Sequence, residues 1–367
     1  MTNDPTANHS TANDPATPGS APLAAPLPDT DRLRRHVEVL AAEPRSRLRA
    51  PRSMERAETY VHDQLTAAGW LVERRPFDVR WQIGSTDRHG HRALALKPRL
   101  HRRLRGANLI ASLPGSGTGP AVVVGAHLDS VSGSPGADDN ASGVAALLET
   151  ARLLAEAPVP ARVVLAVFDM EELGLIGARQ AARELGRDDG VRGMICLESV
   201  GYFTDDPDTQ KLPVGFERVF PEASAAVRAG GHRGDFALVV HRRSSIAAAR
   251  TWQRAAAAAS PSLPALLLRD SRPDGPLGLL IGLAVPPANH LGRSDHAPFW
   301  NRGIPALMLT DTANFRNPHY HRPTDVPRTL DYDRLTAVTA ATALTAASWP
   351  EPEPEGTADA GRSGRRS

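Results

Sequence analysis

The chain has 367 residues, room for one large α/β domain or two average ones, with an ordinary globular balance of 41% hydrophobic and 23% charged residues. Its 43 basic and 41 acidic side chains leave a formal charge of +2, which points to no polyanionic partner. A single cysteine, Cys196, excludes an internal disulfide; within the apolar run GMICLES it reads as a buried thiol rather than a nucleophile.

Residues 1–29 are rich in Pro, Ala, Thr and Asn, without periodicity, a basic start or a continuous apolar stretch. They read as a disordered tail rather than a signal peptide, as do residues 350–367, leaving a folded domain over 30–349. No stretch reaches the roughly 18 apolar residues of a membrane span. The expectation is a soluble, cytoplasmic protein without a membrane partner; its oligomeric state is not legible.

DRLRRHVEVLAA (31–42) and SMERAETYVHDQLTAAG (53–69) carry helical spacing, the second stopping at Gly69. WLVERRPFDVRW (70–81) alternates as a strand, a polar His- and Arg-rich excursion follows, and GANLIASLPG (106–115) returns as a strand. The basic run HRRLR at 101–105 has no aromatic platform or binding motif with it, so no nucleic-acid partner is expected. AVVVGAHLDSV (121–131) is a continuous apolar run ending in charge, as suits a strand buried on both faces. Further strands are expected at 161–168, 191–197 and 303–310, with helices at 142–155, 172–184 and about 331–348. This alternation predicts an α/β fold, a mostly parallel mixed sheet with helices on both faces in three layers. Ligands of such sheets gather at the carboxyl ends of the strands. Residues 202–293 are expected to build part of the pocket rim.

Each expected buried strand carries its polar groups at that same end. His127 and Asp129 follow one, with Asp138 and Asp139 after the next loop; Asp169, Glu171 and Glu172 follow another. Glu198 follows the third, and the fourth leads to His319 and His321. A lone acid at a strand end is usually a helix cap, but four strands doing this in parallel call for a shared chemistry. Imidazoles and carboxylates without thiolates suit zinc or a similar divalent ion. Two such ions, about 3.5–4 Å apart, need a bridging carboxylate, and the glycines around Asp138 and Asp139 allow a turn sharp enough to present one.

HLDS, GADDNASG, the glutamate pair before LGLIG, SDHAPFW and NPHYHRPTD, together with the opening helices and GDFALVV at 234–240, resemble the di-zinc aminopeptidase family of metallopeptidases. Its relatives include glutamate carboxypeptidase, glutaminyl cyclase and the non-catalytic transferrin receptor. The likeness covers about residues 33–345. It implies one zinc ion on His127, Asp139 and Glu198, and a second on Glu172, His321 and the shared Asp139. It further implies that Glu171 is the general base and Tyr320 a hydrogen-bond donor to the oxyanion. Asp129 would fix the His127 tautomer, and the Asp139–Asn140 bond is often cis in the family.

Glu198 stands where the best-studied members carry aspartate, and Asn140 replaces an aspartate sometimes found there. His319, two residues from His321, could by spacing alone be the ligand instead; the Y-H-x-P pattern assigns His321. Asp169 is expected to be a capping or loop carboxylate, Asp295 and His296 to be supports, and His232, His241 and the histidines of 89–101 to be exposed or structural. The implied activity is a zinc-dependent exopeptidase acting on N-terminal peptide bonds of peptide or aminoacyl substrates. The alternatives are a one-metal acyltransferase like glutaminyl cyclase and a binding protein on the same scaffold.

Overall fold

The computed structural model describes residues 27–85, 99–117, 119–157, 161–187, 190–284 and 291–351. Eight strands form one sheet: β1 (Leu71–Gly84), β2 (Arg99–Ser112), β3 (Ala121–His127), β4 (Val163–Phe168), β5 (Val191–Leu197), β6 (Ala237–His241), β7 (Ala265–Arg269) and β8 (Ala306–Thr310). Their spatial order is β1-β2-β4-β3-β5-β8-β6-β7. Four of the seven pairings are parallel, so the sheet is mixed, with antiparallel strands on both sides of a parallel centre. β3 and β4 are buried along their whole length, as their uninterrupted apolar sequences require.

The helices are α1 (Thr30–Leu40), α2 (Pro51–Ala67), α3 (Gly143–Glu156), α4 (Ile176–Leu185), α5 (Phe216–Val219), α6 (Pro221–Ala229), α7 (Ile246–Ala258), α8 (Pro276–Ala284), α9 (Ala297–Trp300) and α10 (Tyr332–Ala347). One apolar core joins α1, α2, α3, α7 and α10 to one sheet face, through side chains such as Leu33, Val61, Leu147, Trp252 and Val338. The second core sets Ala178, Ala182, Phe299 and Trp300 of α4 and α9 against the other. The expected three layers are present.

Two differences from the expected elements have plain causes. HRRLR belongs to β2, because β1 and β2 pair from Leu71↔Ser112 to Gly84↔Arg99 as one long ribbon. β4 covers only Leu109 to Ser112 of it; the remainder rests on a small core of Phe77, Leu104, Met170, Leu173 and Ile176. The helix expected from 172 starts at Ile176 instead. Met170 (φ 60°), Gly174 (111°) and Leu175 (60°) adopt left-handed backbone and turn the chain there.

The tails expected to be disordered lie outside the described residues except for 27–29 and 350–351. Asp29 caps α1 through the N–H groups of Asp31 and Arg32, and its own N–H donates to Glu149, so ordered chain begins before residue 30. Of the histidines in 89–101, only His101 is described; it is buried and contacts the carbonyl of Ser85 at 2.9 Å. His241 is also buried. No helix among the described residues is long and apolar enough to cross a membrane.

His36 gives the fold a pH dependence. It is 4% exposed, with Nδ1 2.8 Å from the Tyr60 hydroxyl and Nε2 unpartnered. Burial, reinforced by Arg32, lowers its pKa to about 4. Because the unfolded ring titrates near 6.5, the unfolded chain binds the proton first as pH falls. The contribution is therefore complete above about pH 6.5 and is lost progressively towards pH 4. We expect about 2 kcal/mol lost by pH 5. His36→Gln should flatten the change in urea midpoint between pH 7 and 5; an unaltered slope would acquit His36.

Candidate metal centre

Strand register brings the candidate residues together. Gly125 pairs with Cys196 and His127 with Phe168, so His127, Glu198 and the turn beyond Phe168 end at one level. The Asp138–Asp139 turn enters from the N-terminus of α3, and His321 from the loop after β8. His127 Nε2 lies 3.1 Å from Asp139 Oδ1 and 3.5 Å from Glu198 Oε2. His321 Nε2 lies 2.9 Å from Asp139 Oδ2 and 3.5 Å from Glu172 Oε1. Asp139 thus turns one oxygen to each of two donor groups, His127–Asp139–Glu198 and Asp139–Glu172–His321, either of which could hold a metal ion.

The donor atoms themselves test whether an ion fits. His127 Nε2, Asp139 Oδ1, Glu172 Oε1 and His321 Nε2 are buried without a hydrogen-bond partner. Native interiors rarely leave such atoms unmatched, and an all-nitrogen-and-oxygen set suits zinc. Charge leads to the same place. Burial works against both imidazolium ions, yet Glu198, Asp129 and Asp139 push His127 well above its ordinary pKa, and Glu172 with Asp139 pushes His321 to about 10. Burial raises Glu172 to about 7, and raises Glu171 well above the carboxylate range with help from Glu198, Glu172 and Asp295. Burial alone would raise Asp139 too, but the two imidazoles hold it below that range. Without cations the site gathers protons; cations would displace them.

The supports are specific. His127 Nδ1 faces the backbone carbonyl of Asp129 at 3.0 Å, so that carbonyl selects the tautomer, while the carboxylate expected to do so stands 3.6 Å away. The Asp129 carboxylate instead accepts the N–H groups of Glu171 (3.0 Å) and Glu172 (3.2 Å) and fixes their turn. Ser85, just beyond β1, adds a hydroxyl bond to the Glu172 carbonyl. Met170, Ser199 (φ 50°) and His321 (φ 58°) hold left-handed backbone beside or at candidate residues, a conformation that surrounding contacts must enforce. The Asp139–Asn140 peptide bond is cis.

Asp138, beside the bridging residue, ties separate loops together. Its carboxylate accepts Gly201 N–H at 2.9 Å and the Asn317 side-chain amide at 2.7 Å. Tyr320 stacks on His321 with ring centroids 3.8 Å apart, and burial beside Asp139 and Glu172 pushes its phenol well above the ordinary pKa, which keeps it a proton donor. His319 is turned away, its Nδ1 3.0 Å from the Thr324 hydroxyl. Asp169 proves to be a buried ion-pair partner of Arg47 at 2.9 Å that also accepts Ala107 N–H. Asp295 is fully buried with both oxygens unpartnered, and His296 Nε2 faces the carbonyl of Leu291 at 2.8 Å.

Three supports escaped the sequence reading. Arg45 is buried and donates to the carbonyls of Leu40, Leu128, Pro135 and Gly136, a role no local pattern announces. Ser294 donates to Glu198 Oε2 at 2.6 Å, and the Asp325 carboxylate accepts Asp138 N–H at 2.9 Å and Asp139 N–H at 3.3 Å. Both sit in motifs already singled out, SDHAPFW and NPHYHRPTD, which was the available signal. In Asp325→Asn one acceptor becomes an NH₂ facing a backbone N–H. We expect zinc affinity, read by competition with a chelating dye, to fall about 10–100-fold; wild-type affinity would show that the clamp on the Asp139 backbone is dispensable.

Residues 108–234 and 282–346, more than half of the chain, match Peptidase family M28. The YfbL protein of Escherichia coli (strain K12) is 35% identical over 245 residues, 63% of this chain and 67% of that one. A probable lipoprotein aminopeptidase, LpqL of Mycobacterium tuberculosis, is 41% identical over 131 residues, 33% of this chain and only 26% of the relative. The solved structure of BSAP, a zinc aminopeptidase from Bacillus subtilis, superposes with a TM-score of 0.60 at 16% identity, covering 91% of this chain and 98% of that one, which bears on the fold. Since the two matched segments between them carry every residue of both donor groups, the chain belongs to Peptidase family M28.

Proposed function

We propose that the protein is a zinc-dependent exopeptidase, working as an aminopeptidase, with two zinc ions held by His127, Asp139 and Glu198 and by Asp139, Glu172 and His321. The observation that carries this reading is the two-sided Asp139 carboxylate, an oxygen facing each donor group. Bound zinc supplies Lewis-acid polarisation of the scissile carbonyl and makes water acidic enough to ionise near neutral pH. Glu171, a member of neither group, takes the proton from the attacking water and passes it to the leaving amine. The Asp129 carboxylate holds the Glu171–Glu172 turn so that one side chain serves the proton and its neighbour the metal. The Tyr320 hydroxyl donates to the oxyanion that develops on the carbonyl.

The test pairs metal analysis with a panel of aminoacyl anilides and short peptides, N-terminally free and blocked. Two zinc ions per chain with cleavage of free-amine substrates is the expected result. One ion per chain with acyl transfer and no hydrolysis would instead favour the cyclase-like alternative.

A further inference from the structure

The helix α8 turns its leucines to solvent. Its nine residues, PLGLLIGLA, include no polar side chain, yet only Gly278 and Gly282 are buried. Gly278 permits the close approach to the body: a Cβ there would stand 1.9 Å from the Pro273 carbonyl oxygen and 3.1 Å from Arg242 Nη1. Leu277, Leu280 and Leu283, spaced by three along the other side, are 60%, 61% and 68% exposed, and Leu279 beside them is 39% exposed. Scattered exposed leucines are ordinary, but a contiguous row marks an interaction surface.

The charges around α8 indicate what covers it. The chain leading into the helix is tied to two neighbouring turns: Arg242 donates to the Pro273 carbonyl at 2.8 Å, Ser244 to the Asp274 carboxylate, and Gly275 N–H to the Trp300 carbonyl at 2.7 Å. These contacts set the exposed Arg243 and Arg302 beside the start of α8. The same stretches supply no exposed acid. Between Ser271 and Thr310 the only acids are Asp274, which Arg242 and Ser244 hold, and Asp295, which is fully buried. A twofold contact between two copies would offer each arginine only the apolar or basic surface of the same patch. A protein partner would ordinarily find hydrogen-bonding side chains to pair with, and α8 has none. Leucines flanked by arginines suit the boundary between headgroups and acyl chains of an anionic bilayer. We propose that α8 is a membrane-docking surface, its leucines entering the interface of an anionic lipid bilayer while Arg243 and Arg302 meet the headgroups. Such peripheral contact requires no spanning helix.

The test is co-sedimentation of the full chain with phosphatidylcholine vesicles, with and without phosphatidylserine. Binding should require phosphatidylserine and weaken as salt is added. Burying an exposed leucine is worth about tenfold in partition, so Leu277→Gln, Leu280→Gln and Leu283→Gln combined should abolish detectable binding. Arg243→Ala with Arg302→Ala should weaken binding to the anionic vesicles about tenfold or more. A second measurement does not depend on the folding of those variants: Leu280→Cys carries an environment-sensitive dye in a chain whose other thiol, Cys196, is buried. Its emission should shift to the blue on anionic vesicles. Wild type that ignores anionic vesicles, binding undiminished by the leucine substitutions, or an unshifted dye overturns the inference. So does a dimer, seen by sedimentation velocity, that the leucine substitutions dissolve, because the patch would then belong to a second copy. Binding is read without catalysis, so each outcome leaves the peptidase reading untouched.

Discussion

Glu171→Gln lowers kcat by a factor of about 10²–10⁴ while zinc content stays at the wild-type value. The expectation follows from where Glu171 stands. It belongs to neither donor group, yet its turn is fixed by the same Asp129 carboxylate that fixes Glu172. Glutamine keeps the shape and the backbone bonds and removes only the ability to accept a proton. Burial and the nearby Glu198, Glu172 and Asp295 all favour the protonated, inactive form of Glu171. Cations among these carboxylates would oppose that and favour the ionised form that the proposed base needs. Loss of zinc from Glu171→Gln would show that the side chain is itself a ligand. Wild-type turnover would remove it as the base.

The second large effect is expected at Asp139. Asp139→Ala removes an oxygen from both donor groups at once, so zinc should fall from two ions per chain to fewer than one, with activity lost beyond detection. His321→Ala touches one group only and should leave one ion bound, since His127, Asp139 and Glu198 remain together. Metal analysis of the two variants after identical dialysis separates the cases. If Asp139→Ala retained one tightly bound ion, the shared-carboxylate geometry would be wrong. Asp139→Ala also strips both imidazoles of a buried carboxylate partner, which lowers the stability of the apoprotein, so a thermal midpoint measured beside the metal content separates lost ligation from lost folding.

Period and composition sufficed for the parts of this molecule whose physics is local. β3 and β4 announce themselves because a strand buried on both faces must be apolar throughout, and α1 and α2 because a half-buried helix must repeat its apolar residues every three or four positions. Polar groups at the ends of parallel strands had to meet at one edge of the sheet, which made His127, Glu171, Glu172 and Glu198 legible before any coordinates. The family likeness supplied the pairing of His321 with Glu172 and the bridging part of Asp139. The true start of α4 was not legible, because it depends on the Asp129 carboxylate, more than forty residues earlier, capturing the Glu171 and Glu172 amides.

What only the tertiary structure decided is which long-range partner each polar group takes. Arg45 reads as one more arginine in a chain rich in them, until the carbonyls of Leu128, Pro135 and Gly136 close around it. Asp169 looked like a cap and is bound to Arg47; Asp129 looked like an imidazole partner and mostly holds backbone. Residue type and spacing determine what a segment can bury and so which edge of the sheet carries the acids. A hydrogen bond is satisfied by whichever donor the completed fold brings within about 3 Å, and that choice is made between segments that share no local pattern.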